Sequence, residues 1–370
     1  MPHVLVISNY ADSLNAVRPE GRLYVGLMRD FGWQVTFMTQ ADGAYVDVLR
    51  EAGAEIIDFS LSKKLDRTGR TQIMEVLQRP NKPVDVLHLY NNKAIVNGIA
   101  AAKQLKWPGV LLTYRGYTGN VNWWDPTAYL MHLNRRVDAI SCVSPAVKEV
   151  FDKLGKQYAK KAYVVGKGHD PAWYAEVVTA DLQEEFGIPP DRKVVIIIAN
   201  ARRMKGMNYL DAAIKALPPD LGLHFLYVGR GLDTPATKEA FASSHYAKSV
   251  SFAGFRRDVL ELIKAADISL LPSVKGEGLS KVLLESMFLA TATIMTDIGG
   301  NRNLGVDGKT CLIIPAKSSS AIVEALTSLA EDEPMRQRLG VGAAAYMNEH
   351  YHADRTAREL HELYLSLLSR

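Results

Sequence analysis

Short runs of β-branched and aliphatic residues recur along this chain, each followed by a stretch with helical spacing, and the whole series occurs twice. In the first half the strand-like runs are HVLVIS (3–8), WQVTFMT (33–39), AEIIDF (54–59), VDVLHLY (84–90), GVLLTY (109–114), DAISCVS (138–144) and AYVVG (162–166). The second series is KVVIIIAN (193–200), GLHFLYVG (222–229), SVSFAG (249–254), DISLLP (267–272), TATIMT (291–296) and CLIIP (311–315). The runs are continuously apolar rather than alternating. Such strands belong to parallel βαβ units with both sheet faces covered. Helical patterns at 21–32 and 93–105 lie between strands, and after residue 319 only helical patterns remain, at 319–331, about 333–348 and 355–369. A segment rich in Pro, Gly and charge (167–193) separates the two series. At 370 residues the chain exceeds one core of ordinary size. The expectation is an α/β protein of two Rossmann-like, doubly wound domains, 1–170 and 171–349, with a further helix at about 350–370. Ligands of such sheets bind beyond the carboxyl ends of the strands, so a cleft between the lobes is the expected site.

Composition narrows the ligand class. Hydrophobic residues make up 48% and charged residues 23%, as in a globular protein, and the formal net charge is +4. That mild excess favours an anionic ligand or a lipid surface and lacks the concentrated basic footprint of a nucleic-acid binder. The two cysteines, Cys142 and Cys311, sit in apolar runs without metal-ligand spacing and read as buried thiols of a reducing compartment. The first apolar run spans about five residues with no charged segment before it, unlike a signal peptide. No run reaches the ~18 apolar residues of a bilayer span. A cytoplasmic protein is expected.

Three loops after strands hold the chemistry. The run VVIIIAN enters ARRMKGMNYLDAAIKAL, placing Arg202, Arg203 and Lys205 before Gly206 opens a helix. Cations at a strand end beside a helix N-terminus make an anion site, and a basic surface turn would read the same way. The run DISLLP enters LPSVKGEGLSKVLLESM, where glycines flank Glu277 and a helix begins near Ser280. The N–H groups of Gly278, Leu279 and Ser280 can face a diphosphate there, and Glu285 lies inside the helix where a carboxylate can accept from paired hydroxyls. A solvated helix glutamate and a loop glutamate are the plainer alternative. The third loop is TDIGG (296–300), a Gly-Gly turn that admits a ligand or is simply a turn.

In this order, RRMKG, VSFAGFRRDVLELIKAADISLLPS, GEGLSKVLLESM, TDIGG and LIIP resemble the nucleotide-binding domain of the retaining family 4 glycosyltransferases, which have the GT-B fold with two Rossmann-like domains facing a central cleft. The resemblance is dense over roughly 192–330 and looser before it, in VRPEGRLYVGLMRDFGWQVTFMT, VDVLHLY, CVSPAVKEVF and VVGKGHDPAWY. It implies a nucleotide-diphosphate sugar of UDP or GDP type as co-substrate, a glycan or lipid-linked acceptor, no cofactor and no metal. By this likeness Arg202 and Lys205 hold the diphosphate, Glu277 meets hydroxyls of the transferred sugar and Glu285 binds the ribose. Gly278, Leu279 and Ser280 offer backbone N–H groups, and Gly254, Phe255 and Arg256 lie beside the base. Gly21, on the first N-terminal loop, approaches the diphosphate, and the final helix crosses back to the N-terminal domain.

Some positions depart from that pattern. Arg115 stands where many members carry a histidine that contacts the donor sugar. It can bind an anionic sugar or the diphosphate, or it can be a structural or acceptor-binding residue, and it cannot act as a base. Asn303 replaces a glutamate, and Ala290-Thr291-Ala292 replaces Gly-x-Pro. A nucleotide-sugar-binding protein without turnover, or another GT-B enzyme such as a sugar-nucleotide epimerase, is therefore the alternative. A dinucleotide oxidoreductase fits poorly, because VISNYADSLN lacks G-x-G-x-x-G. Tyr114, Tyr117, Trp123, Trp124 and Tyr129 cluster in 114–133 and suit sugar stacking, a hydrophobic acceptor or packing. Lysines 148, 153, 156, 160 and 161 suit an anionic lipid surface for peripheral membrane contact, or a solvated face. His88 and His169 read as scattered single histidines.

Overall fold

The computed structural model describes residues 1–8, 14–119 and 121–370. All thirteen apolar runs form strands, with bounds that agree to within a residue or two at each end. They are β1 (His3–Ile7), β2 (Gln34–Thr39), β3 (Glu55–Asp58), β4 (Val86–Leu89), β5 (Val110–Arg115), β6 (Ala139–Cys142), β7 (Ala162–Val164), β8 (Lys193–Ile198), β9 (Leu223–Val228), β10 (Val250–Gly254), β11 (Ile268–Leu271), β12 (Ala292–Thr296) and β13 (Leu312–Ile314). The helices that matter below are α1 (Leu14–Phe31), α2 (Met207–Ala216), α3 (Pro235–Ala242), α4 (Lys281–Phe288), α5 (Ser319–Glu331), α6 (Glu333–His350) and α7 (Ala353–Leu368). Among the described residues none of the helices is long and apolar enough to cross a membrane.

The chain divides into two compact units, one of residues 1–170 with 351–370 and one of 171–350. In the first, a parallel sheet runs β3-β2-β1-β4-β5-β6-β7, and in the second β10-β9-β8-β11-β12-β13. Sequence order reverses between β1 and β4 in one sheet and between β8 and β11 in the other, and such switch points open a crevice for ligands. Both sheets are fully buried along their central strands, which is why those runs are continuously apolar. The first core joins Val4, Val6, Phe37 and Tyr24 to Leu360 and Tyr364 of α7, which packs along α1. The second joins Val195, Phe225 and Ile268 to Leu210 of α2 and Leu326 of α5.

Two expectations need correction. Gly21 does not lie on a loop. Its helix begins at Leu14, well before the expected start at residue 21, because Val17 extends the buried stripe of Tyr24 one repeat upstream. The Tyr45 ring closes over Gly21, so a β-carbon there would come within 2.2 Å of it. The Gly-Gly pair after β12 is likewise not an open turn, for Gly299–Arg302 winds into one helical turn.

Candidate active site in the C-terminal unit

Three loops converge at the switch point of the second sheet. The loop after β8 tightens into a 3-10 turn, Arg203–Lys205, and reverses at Gly206, whose φ of +72° is the left-handed region. A β-carbon at Gly206 would also fall 2.0 Å from the carbonyl oxygen of Pro272, in the loop after β11. The loops are laced together where Val274 N–H donates to the Met204 carbonyl at 2.7 Å. This lacing delivers Lys205 to Glu277: Nζ lies 2.6 Å from Oε1, and Ser273 Oγ donates to the same oxygen at 2.8 Å. Both side chains of the pair are largely shielded. The third loop arrives through Gly300, where a β-carbon would sit 2.1 Å from the Glu277 carbonyl oxygen. The motif order in the sequence is thus a real neighbourhood, one anchored cation and carboxylate held by glycines on either side.

Helix α4 begins directly after this cluster. Ser280 is its N-cap residue and is buried, yet its side chain makes no capping bond. The first turn of the helix therefore presents N–H groups that its own cap does not use, next to buried Gly278 and half-buried Leu279. Glu285 is 2% exposed and its carboxylate accepts from Lys281 Nζ at 2.6 Å across one helical turn.

The other expected residues are more scattered. Arg202 is exposed and lines, with Arg203, Lys275 and Lys317, a cavity of about 810 Å³ between α2 and α3 whose walls do not include Lys205, Ser273 or Glu277. Gly254 ends β10 at a φ of +63°, and Phe255 is exposed with the Arg230 guanidinium 4.7 Å over its ring. Arg256 forms ion pairs with Asp258 and Glu185, and these partners hold its proton more firmly than usual. Arg115, in the N-terminal unit, is buried. It donates to the carbonyls of Tyr117 and Gly119 and lies 3.6 Å over the Tyr117 ring, closing its own loop. Ser273 was not among the expected residues. Its signal was present, a hydroxyl four positions before Glu277 in the same strand-end loop.

In the N-terminal unit a cavity of about 460 Å³ opens beyond the carboxyl ends of β1 to β4, lined by Ser8, Gln40, Ser60, Asn91, Asn92 and Lys93. Beneath it, His88 is fully buried, its Nδ1 shared by the hydroxyls of Tyr364 at 2.7 Å and Tyr24 at 2.9 Å. Burial lowers its pKa to about 3, so it is a neutral packing residue joining β4 to α7. His169 is buried too, its backbone bridging that of His352.

Residues 178–345 match the family described as "Glycosyl transferases group 1". This segment is a group 1 glycosyltransferase domain. The group 1 domain contains all three converging loops, and the fold of the chain is GT-B. Over 306 residues, 80% of this chain and 78% of the other, it is 26% identical to the N-acetyl-alpha-D-glucosaminyl L-malate synthase of Bacillus anthracis. It is also 26% identical over 338 residues to the lipopolysaccharide core biosynthesis mannosyltransferase LpsB of Rhizobium meliloti, covering 87% of this chain and 92% of that one. Among solved structures, Anabaena Alr3699/HepE in complex with UDP superposes with a TM-score of 0.76 at 18% identity, over 99% of this chain and all of the other.

Proposed function

We propose that this protein is a retaining glycosyltransferase that moves a sugar from a UDP- or GDP-type nucleotide sugar to a glycan or lipid-linked acceptor without a metal. The observation that carries the reading is the Lys205–Glu277–Ser273 cluster, held at the sheet's switch point against a helix N-terminus that its own cap residue leaves open. A cation and convergent N–H groups suit a diphosphate, and a carboxylate beside them suits the hydroxyls of the attached sugar. Glu285 supplies a second carboxylate inside the same helix for a ribose. The names of the relatives, a malate-linked glucosaminyl synthase and a mannosyltransferase, are in keeping with transfer of this kind.

In this reading the bond from the anomeric carbon to the β-phosphate oxygen breaks while the acceptor oxygen bonds to the same face. The acceptor proton passes to the departing phosphate. Lys205, with Arg202 drawn in by the nucleotide, offsets charge growing on that phosphate, the role a preorganised cation performs best in a shielded site. The amide- and hydroxyl-lined cavity of the N-terminal unit suits a hydroxylated acceptor.

Calorimetry with UDP, GDP and ADP, then product analysis with the matching nucleotide sugars in buffer containing EDTA, tests each part. Binding of one nucleotide, release of it in EDTA and an α-configured product from an α-linked donor are expected. Absence of binding to every nucleotide would overturn the reading. Binding without release on any acceptor pool would leave a binding protein instead, and loss of turnover in EDTA would remove the metal-independent part. Cytoplasmic placement belongs to the same proposal.

A further inference from the structure

The loop between β5 and β6 carries bulky side chains where water is. Trp123 is 64% exposed and Trp124 72%, their rings 5.6 Å apart, and Tyr129 and Leu130 beside them are exposed as well. The loop is not frayed at this point. Tyr129 hydroxyl donates to the Trp123 carbonyl at 2.8 Å, Asn134 donates to the Tyr129 carbonyl at 2.8 Å, and Asp125 caps the short helix Pro126–Tyr129. Two tryptophans and a leucine held outward by a built scaffold form an apolar patch that a water-facing surface has no use for.

The neighbouring segment is cationic. Residues 156–161 lie against this loop, for Lys161 Nζ reaches the Arg135 carbonyl at 3.4 Å and donates to Val137 O as well. Of the lysines in this region, Lys148 is paired with Asp152 and Lys161 is tied to carbonyls. Arg135, Lys153, Lys156 and Lys160 are exposed and form no ion pair with a described residue. Of the carboxylates closest in sequence, Asp125 is engaged in its helix cap, Asp138 with Arg136 and Asp152 with Lys148, while Glu149 is exposed one turn before Lys153 and leaves the four cations in clear excess.

We infer that Trp123, Trp124 and Leu130, with the cations Arg135, Lys153, Lys156 and Lys160, form a docking face for an anionic lipid surface. Indole rings favour the boundary between headgroups and acyl chains, where an apolar body and a polar N–H are both accommodated. Lysines and arginines next to such a wedge are attracted to acidic headgroups, and neither component anchors strongly alone. The charge complementarity selects acidic lipid over a neutral bilayer. A face of this kind in the N-terminal unit deepens the reading of a lipid-linked acceptor, yet its test does not depend on catalysis.

The experiment is co-sedimentation of the full chain with vesicles of phosphatidylcholine alone or with about a third phosphatidylglycerol, with tryptophan emission recorded in parallel. Binding to the acidic vesicles with a blue-shifted emission, and at least tenfold weaker binding to the neutral ones, is expected. Trp123→Ala/Trp124→Ala should reduce acidic-vesicle binding at least tenfold and abolish the shift. Lys153→Glu/Lys156→Glu/Lys160→Glu should reduce it similarly, while nucleotide binding and circular dichroism stay as in the parent for both variants. Three outcomes overturn the inference: no binding to acidic vesicles, equal binding to both vesicle types, or binding unchanged in both variants. Self-association that the tryptophan variant abolishes, without vesicle binding, also overturns it by making the face a contact between copies. Failure of nucleotide binding with vesicle binding intact would count against the proposed enzyme and leave this face standing.

Discussion

Gly300 and Glu277 touch through backbone: the site a β-carbon would take on Gly300 lies 2.1 Å from the Glu277 carbonyl oxygen and 2.4 Å from its carbonyl carbon. The helical turn after β12 thus braces the loop that presents Glu277 to Lys205, and only glycine permits the approach. Gly300→Ala must displace main chain rather than a flexible side chain. A loss of about 1 to 3 kcal/mol by denaturant titration is expected, together with reduced nucleotide-sugar turnover. Full activity and unchanged stability would show that the two loops part without consequence.

Lys205→Ala removes the ammonium that pairs with Glu277 at 2.6 Å. Turnover should fall by roughly a hundredfold or more, as when one charge-stabilising donor is taken from an active site. Lys205→Arg keeps charge with another geometry and should restore part of it. A parental rate in the alanine variant would end the role assigned to Lys205.

Glu285→Gln keeps the shape of a 2% exposed side chain while discarding its charge. Nucleotide affinity should weaken about tenfold or more by calorimetry, since charge-assisted bonds contribute about 1.5 to 3 kcal/mol. The partner Lys281 is 40% exposed on its side chain and can turn to solvent, so stability should change less than affinity. The reverse pattern would make Glu285 a structural residue.

Ala290 follows α4 with φ of +59°, a conformation that costs an alanine about 1 to 2 kcal/mol. Its side chain is exposed and its carbonyl is packed under Gly340 of α6. Ala290→Gly should therefore raise stability by about 0.5 to 1 kcal/mol, after subtracting the freedom gained in the unfolded chain. A lower melting temperature in the glycine variant would contradict this.

His88 and His132 are both buried, and burial brings each pKa down to about 3. Unfolded, each titrates near 6.5, so between these values the unfolded chain holds more protons and stability rises with pH. The contribution is complete above about pH 7 and is lost as pH falls below about 6.5. From about pH 7.5 to 5.5 the two groups together should remove about 2.5 kcal/mol. Denaturant midpoints that do not move over that interval would show that neither histidine is held neutral by the fold.

The parts of this protein that were legible in sequence are those where one physical demand dominates. Thirteen apolar runs became thirteen strands, most plainly at the centre of each sheet, where burial on both faces demands continuous apolar sequence. Lys205 and Glu277 were legible as residues of two strand-end loops in adjoining parts of one sheet, and the structure brings the two side chains together. Ser273 was not, because a hydroxyl after a strand serves many purposes. Gly21 was misplaced because the resemblance put it on a loop, whereas the buried stripe of Val17 and Tyr24 carries the helix through Pro19 and Gly21. Arg115 could not be assigned by charge alone. Only the path of its loop shows its guanidinium turned onto the carbonyls of Tyr117 and Gly119.

The return of α7 to the first unit sets an order of assembly during synthesis. Residues 171–350 leave the ribosome between the two segments that make up the other unit, so the C-terminal sheet can close while α1, Tyr24 and His88 still lack Leu360 and Tyr364. The unit that begins first finishes last, and until it does, an apolar stripe along α1 stays open to chaperones and to other nascent chains.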